Sequence, residues 1–169
     1  MIEISEILGN IFSDNEWKEK YEIACKTNNI ETVKLVRSDL EKTRLRTKSD
    51  KNTDFGIVLK SVSRMKNGDV LISNSEKLVV IQQIPEKVIS VKIKENEANF
   101  EEILVILGHI IGNRHRPIQI ENEKIIFPIL SESELEIFEK LFSDIINQIE
   151  MKIEERVFYP QGNMDVHEH

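Results

Sequence analysis

A helix ends and a strand begins within one short stretch, which reads Gly112-Asn113-Arg114-His115-Arg116-Pro117-Ile118-Gln119-Ile120-Glu121. Gly112 and Asn113 are the residue types that best tolerate the left-handed backbone closing many helices. Pro117 cannot continue a helix and biases Arg116 towards extended geometry. We therefore expect His115 to lie on a short, conformationally restricted junction, which suits a metal ligand or a contact residue.

The segments before and after this junction predict a common pattern. Residues 88–93 alternate as a strand, and the next apolar residues have the spacing of one helix face: Phe100, Ile103, Leu104, Leu107 and Ile111. Residues 118–121 and 124–129 read as two strands, joined so tightly around residues 122–123 that we expect a hairpin.

A second helix and a final strand complete the pattern. Residues 131–134 carry the S-x-x-E capping-box motif that opens a helix, and the alternation over residues 145–154 predicts a strand. The resulting order is β-α-β-β-α-β, the ferredoxin-like arrangement. It predicts two helices on one face of a four-stranded antiparallel sheet over residues 86–156. Residues 157–169 contain Pro, Gly and Asn without periodicity, so we expect a flexible tail.

The first half of the chain reads mainly as β-structure. Turn-forming clusters separate five short segments, at residues 32–36, 43–47, 55–59, 70–73 and 78–84. Residues 14–26 are compatible with either a loop or one short helix. Pro85 marks the boundary of this pattern. We expect an α+β protein, with an N-terminal all-β domain over residues 1–85.

Composition and charge exclude several classes of protein. The net charge of −7 leaves no basic excess for nucleic-acid binding, and we interpret the basic run at residues 42–48 as one solvated strand face. No apolar stretch approaches the roughly 20 residues that span a bilayer. Cys25 is the single cysteine, which excludes an intramolecular disulfide. We expect a cytoplasmic protein that binds neither membranes nor nucleic acids.

No enzyme motif is present: the chain lacks a P-loop, GxGxxG, GxSxG and HExxH. We expect Cys25 to be a small buried side chain rather than a nucleophile. Metal binding is the chemistry that remains, because imidazoles suit Ni²⁺, Cu²⁺ and Zn²⁺. The four histidines are His109, His115, His167 and His169. Taken singly, each also has a structural explanation: His109 as a helix-surface residue, His115 as a capping residue, and the terminal pair as chance.

Several stretches resemble the UreE-type urease accessory proteins, the nickel metallochaperones of urease maturation. The most specific is the helix that ends in Gly112-Asn113-Arg114-His115 and the apolar/Gln strand after it. Similar stretches occur in order along the whole chain. They are Ile7-Leu8-Gly9-Asn10, Thr43-Arg44-Leu45-Arg46-Thr47, Phe55-Gly56-Ile57-Val58-Leu59, Asn67-Gly68-Asp69-Val70-Leu71 and Phe158-Tyr159-Pro160-Gln161-Gly162.

The resemblance implies both a fold and a function. It implies an N-terminal domain of the peptide- or partner-binding type, then a ferredoxin-like domain for metal binding and dimerisation. Family members are homodimers, so one His115 from each subunit would share an Ni²⁺ ion at the two-fold axis, with His167 and His169 as further ligands. Zn²⁺ or Cu²⁺ could bind in vitro. The implied partners are the urease maturation GTPase and the apo-urease complex.

The sequence departs from the family pattern in two places. The strand before the second helix, Ile125-Ile126-Phe127-Pro128-Ile129, lacks the histidines of many members, and the tail retains only His167-Glu168-His169. We therefore expect roughly one ion per dimer from ligand counting. The alternative is a non-metal scaffold of the urease assembly complex, in which the turn at residues 112–117 is a docking surface and the histidines are incidental.

Overall fold

The computed structural model describes residues 1–60, 63–95 and 98–161, and it divides the chain into two compact units. The first unit is Met1–Ile84 and the second begins at Pro85. Both contain helices and strands, so the predicted α+β class is confirmed. Among the described residues, no helix combines the length and the apolar character that crossing a membrane requires.

The first unit has two sheets and two helices in its described residues. Its elements are β1 (Ile2–Ile4), β2 (Gly9–Asn10), α1 (Asn15–Lys26), β3 (Ile30–Leu35), α2 (Arg37–Leu40), β4 (Arg44–Lys48), β5 (Asp54–Val58), β6 (Asp69–Ser73) and β7 (Leu78–Gln83). One sheet has the order β1-β5-β4 and the other the order β2-β6-β7-β3. The pairs β1–β5 and β3–β7 are parallel, and the other pairs are antiparallel.

The prediction that this unit is all-β was wrong, because residues 15–26 form the helix α1. Asp14 caps the helix by accepting a 2.9 Å hydrogen bond from the Glu16 N–H. Trp17, Tyr21 and Ala24 recur at helical spacing and pack on a small core formed by β6, β7 and neighbouring residues. Burial of this face favours the helix over the loop that the sequence left open.

One buried charge in the first unit is fully compensated. The Glu31 carboxylate on β3 accepts a hydrogen bond from the Ser49 hydroxyl and lies 2.6 Å from the Lys77 ammonium. Burial raises the pKa of Glu31, but the hydrogen bonds from Lys77, Ser49 and Thr53 outweigh it and hold that pKa below its ordinary value. The pairing lets β3 keep a carboxylate in the interior at neutral pH.

The second unit follows the chain order strand-helix-strand-strand-helix-strand. Its elements are β8 (Glu86–Ile93), α3 (Phe100–Asn113), β9 (Gln119–Glu121), β10 (Lys124–Pro128), α4 (Glu134–Leu141), a 3-10 turn (Ile146–Gln148) and β11 (Ile149–Arg156). The sheet order is β11-β8-β10-β9, and every neighbouring pair is antiparallel. The predicted hairpin between β9 and β10 is confirmed, with Asn122 and Glu123 both left-handed in its two-residue turn.

Both helices bury their apolar sides against one face of this sheet. Ile103, Leu107 and Ile111 of α3 are fully buried, together with Phe138 of α4 and Phe142 just after it. They share a core with alternate residues of the strands, namely Ile89, Val91, Ile93, Ile125, Phe127, Ile129 and Ile149. Phe127 lies opposite Ile89 and Ile125 opposite Val91, so these side chains project from the same face.

The capping box at residues 131–134 forms only in part. Glu134 reaches back as predicted: its Oε1 accepts hydrogen bonds from the N–H of Leu130 at 2.6 Å and of Ser131 at 3.4 Å. The Ser131 hydroxyl lies instead 2.8 Å from the Ser133 hydroxyl, and α4 begins only at Glu134. The predicted final strand also begins later, at Ile149, because residues 146–148 form the 3-10 turn.

The predicted tail begins too early at residue 157, because residues 157–161 pack on the second unit. Phe158 is fully buried with Val88 and Ile126, on the face of the sheet opposite the helices. The N–H of Tyr159 donates to the Gln119 side chain at 3.0 Å. Two further hydrogen bonds hold this segment beside residues 118–120: Gln161 N–H donates to the Ile118 carbonyl at 2.8 Å, and Gln161 Nε2 donates to the Ile120 carbonyl at 3.1 Å.

We predict that Phe158→Ala destabilises the protein by about 3–5 kcal/mol, because the substitution removes a fully buried ring and leaves a cavity. Urea unfolding gives the free energy of unfolding of the variant and the wild type. Leu130→Ala is the control, since Leu130 is 88% exposed and its loss leaves no cavity. Equal stability of the two variants would show that Phe158 does not pack as described.

Candidate metal site

The site is built on the carboxyl end of α3, which stops in a Schellman motif. The N–H of His115 donates to the Gly112 carbonyl at 2.9 Å, and the N–H of Arg116 donates to the Ile111 carbonyl at 3.4 Å. These two bonds are the pair that defines the motif, and the Ile111 carbonyl also accepts the N–H of Arg114 at 3.1 Å. Ile111 is fully buried, so the motif attaches the turn to the core of the second unit.

The left-handed residue of this motif is His115, with a φ of 51°. Gly112 and Asn113, which the sequence suggested for this conformation, are instead the last helical residues of α3. The physical reason lies in Pro117, which keeps Arg116 out of the helical conformation. The left-handed residue is therefore the one immediately before Arg116, and Gly112 and Asn113 remain helical.

A histidine in this conformation is costly. A left-handed backbone puts the Cβ of a non-glycine residue close to the following carbonyl, at about 1–2 kcal/mol. Most Schellman motifs avoid this cost with a glycine. His115 is exposed, so burial of its side chain does not explain why a histidine lies here. Strained residues of this kind concentrate at binding sites, where the backbone presents a side chain in one direction.

His109 occupies the exposed surface of α3, as its helix-surface interpretation predicted. Its Nε2 lies 3.0 Å from Nδ2 of Asn113, one turn later on the same helix. An amide nitrogen is a donor only, so this contact uses the lone pair of Nε2. His109 in this state offers that nitrogen to Asn113 rather than to an ion.

The described residues form no metal-binding cluster around His115. Within residues 1–60, 63–95 and 98–161, no three side chains of the His, Cys, Asp and Glu types come together in a way that could hold a metal ion. His167 and His169 lie outside the described residues. Cys25 is exposed on α1 rather than buried as expected. The described part of one copy of the chain therefore supplies His115 without a three-residue ligand cluster.

An apolar strip on α3, which the sequence pattern did not predict, runs towards the His115 turn. Phe100, Leu104 and Val105 are 51%, 43% and 71% exposed. Gly108 and Gly112 continue the strip at four-residue spacing, and a Cβ added at either would meet no heavy atom within 4 Å. Phe100 and Leu104 were expected on the buried side of α3. Phe100 and Leu104 share a four-residue spacing with the two glycines. That spacing is the sequence signal that could have assigned Phe100 and Leu104 to the exposed strip rather than to the core.

Known proteins are similar in sequence to this chain over most of its length. The family model of the UreE urease accessory protein, N-terminal domain, matches residues 4–82. A urease accessory protein UreE of Ureaplasma urealyticum serovar 10 is 33% identical over 128 residues, which cover 76% of this chain and 77% of that protein. The chain belongs to the UreE family of urease accessory proteins.

Other members of the UreE family agree with this assignment. The urease accessory protein UreE 1 of Pseudomonas syringae pv. tomato is 28% identical over 129 residues, covering 76% of this chain and 84% of the relative. UreE of Streptococcus vestibularis is 33% identical over 96 residues, covering 57% and 61%. The family predicted from the Gly112–His115 motif is thereby confirmed.

We predict that His115→Gly is more stable than His115→Ala by about 1 kcal/mol, because glycine adopts the left-handed conformation without a Cβ clash. Both substitutions remove the imidazole, so the difference in stability between them measures the backbone strain that a Cβ causes at this position. Thermal and urea unfolding of the metal-free proteins measure the difference. The same pair of substitutions at His109, which is helical, is the control. There glycine should be the less stable residue by roughly 0.5–1 kcal/mol, and the same order at both positions would contradict a strained turn at His115.

Proposed function

We propose that this chain is a nickel metallochaperone of urease maturation that carries Ni²⁺ as cargo between two subunits of a homodimer. One His115 from each subunit binds the ion. The protein is a carrier and not an enzyme. It delivers the ion to a maturation complex of a GTPase and apo-urease. The observation that carries the proposal is an exposed histidine held in a costly left-handed turn, in a chain that belongs to the UreE family.

A two-fold dimer explains why one copy of the site is incomplete. In an isologous contact each residue near the axis meets its own counterpart, so one His115 per subunit becomes a pair of imidazoles. The second unit, a ferredoxin-like domain, would then be both the dimerisation domain and the metal-binding domain. Two nitrogen ligands are compatible with Ni²⁺, Zn²⁺ and Cu²⁺, and the choice among these ions depends on geometry and availability.

The apolar strip on α3 supports dimerisation close to His115. Glycine within a helix is less stable than alanine by roughly 0.5–1 kcal/mol, and the chain's own packing does not require Gly108 or Gly112. A second copy of α3 crossing at these two glycines would require their small size. It would also cover Phe100, Leu104 and Val105, which are large apolar side chains left open to solvent.

The segment at residues 157–161 ends beside the strand that follows the His115 turn, and the proposal takes the histidines beyond it as further ligands. Gln161 is bonded to the Ile118 carbonyl, and Ile118 lies three residues after His115, about 10 Å of extended chain at most. The six residues from Gln161 to His167 can span up to about 20 Å. This length is compatible with the proposal that His167 and His169 are further ligands of an ion held by the His115 pair.

Nickel titration tests the proposal. We expect roughly one Ni²⁺ per dimer for the wild type, because each subunit supplies few ligands. His115→Ala should abolish high-affinity binding while the dimer persists in light scattering. Deletion after Met164 removes both tail histidines and should weaken binding less. His109→Ala is the matched control, an exposed histidine on the same helix, and it should bind as the wild type does.

The alternative, a protein-interaction scaffold without metal, is favoured by one feature of the first unit. β4 has a neighbour on only one side among the described residues. The N–H of Leu59 donates to the Thr43 carbonyl at 2.8 Å, which shows that residues 43, 45 and 47 direct their backbone groups to β5. The alternate residues direct theirs outwards, to a free strand edge. They are Arg44, Arg46 and Lys48, and all three are exposed.

The charge at this edge indicates the kind of partner that it fits. Arg46 is held by a bidentate ion pair with Asp54 at 2.8 and 3.1 Å, whereas Arg44 and Lys48 make no ion pair with a described residue. Like charges oppose the pairing of two β4 edges. An extended segment with acidic residues at every second position would satisfy both the backbone and the charges. In the carrier, this edge would serve the docking of maturation partners.

We predict that Arg44→Glu with Lys48→Glu weakens binding to the GTPase and apo-urease complex, because the edge changes the sign of its charge, while Ni²⁺ affinity is unchanged. Lys18→Glu with Lys26→Glu makes the same charge change on exposed residues of the same unit and is the control. Pull-down and nickel titration are measured on both double variants. Nickel binding by the wild type would exclude a scaffold without metal. Equal partner binding by the two double variants would exclude the β4 edge as the docking site.

A further inference from the structure

The residue after His115 connects the His115 turn to α4, the second helix of the unit. Arg116 Nη2 lies 2.5 Å from Glu134 Oε2, and the two side chains are only 23% and 14% exposed. The other oxygen of Glu134 accepts the N–H groups of Leu130 and Ser131. One carboxylate therefore joins the end of α3 to the beginning of α4.

We propose that Arg116 is a positioning residue for His115, and that its ion pair with Glu134 sets the direction in which the imidazole leaves the turn. The inference rests on the proposed function, since the imidazole is positioned for an ion shared with a second subunit. Two restraints then flank His115. On its amino side the His115 N–H is bonded to Gly112, and on its carboxyl side Arg116 is anchored to Glu134.

The burial of this pair supports a positioning role over a purely stabilising one. Ion pairs taken out of water commonly return little net stability, because desolvation offsets the attraction. The cost is visible here, since Arg116 Nε is buried and finds no hydrogen-bond acceptor among the described residues. An ion pair between the turn after α3 and the first residue of α4 nevertheless holds one geometry. That geometry keeps a histidine in a conformation it would otherwise leave.

The pair also controls the charge beside the ion. A lone guanidinium one residue from a ligand would repel a divalent cation, and the Glu134 carboxylate neutralises it. The two partners therefore differ in their expected effects. Removal of Arg116 releases the turn but also removes the positive charge. Removal of the Glu134 charge releases the turn and leaves the guanidinium uncompensated.

The test compares Ni²⁺ affinity in the full-length Arg116→Gln, Arg116→Lys and Glu134→Gln proteins. Glu134→Gln retains an oxygen for the Leu130 and Ser131 N–H groups, so α4 keeps its cap. The matched control is Arg156→Gln, because Arg156 lies 2.5 Å from Glu121 and its Nε likewise has no acceptor among the described residues. That second pair joins the ends of β11 and β9 and does not include the His115 turn.

We expect Arg116→Gln to lower Ni²⁺ affinity by about 10–100-fold, as removal of residues that orient metal ligands does. Arg116→Lys should recover part of the loss, Glu134→Gln should lose at least as much as Arg116→Gln, and Arg156→Gln should stay close to the wild type. The absorption spectrum of the nickel complex should change in Arg116→Gln and not in Arg156→Gln. Wild-type affinity and spectrum in Arg116→Gln, or equal losses in Arg116→Gln and Arg156→Gln, would overturn the inference.

Amide hydrogen exchange in the metal-free proteins separates this inference from the proposed function. Absence of nickel binding in the wild type would defeat the carrier but would leave the turn measurable. Faster exchange of the His115 and Arg116 amides in Arg116→Gln than in Arg156→Gln would support the positioning role. Equal exchange in the two variants would defeat it, even in a protein that binds nickel.

Discussion

The left-handed backbone at His115 is the constraint on which the second unit depends. Pro117 forces the chain to leave the helix, and Ile111 holds the last turn of α3 in the core. Between these two points only a few residues are available for the reversal, and a histidine occupies the position that glycine normally takes. β9 starts at Gln119 as a consequence, where it pairs with β10. The same reversal presents the imidazole to solvent.

The faces of α3 show how one helix can serve both folding and binding. The row Ile103, Leu107 and Ile111 is buried against the sheet, and the row that contains Phe100, Leu104, Gly108 and Gly112 is open. A helix with apolar residues on more than one side needs more than one surface to cover it. The sheet of its own chain covers the first row. A second subunit is the cover we propose for the other, and it would bring two His115 side chains together.

Local patterns identified most elements because each pattern depends on neighbours in the chain. The alternation over residues 88–93 and the spacing of Ile103, Leu107 and Ile111 yielded β8 and α3, and the two-residue separation around Asn122 and Glu123 yielded the hairpin. The errors occurred where a distant contact decided the outcome. Residues 15–26 became a helix because β6 and β7 cover their apolar side. Phe158 left the expected tail because Val88 and Ile126 offered a place to bury it.

The sequence by itself determined the family, the α+β class and His115 as the candidate ligand, since motif, periodicity and turn chemistry are local properties. Only the tertiary structure decided that His115, rather than Gly112 or Asn113, is the left-handed residue. It also decided that Arg116 meets Glu134, eighteen residues later, and that residues 157–161 lie along β9. These facts depend on which segments the packed sheet and helices bring together. The spacing of residues along the chain does not specify how close two distant segments lie in the folded protein.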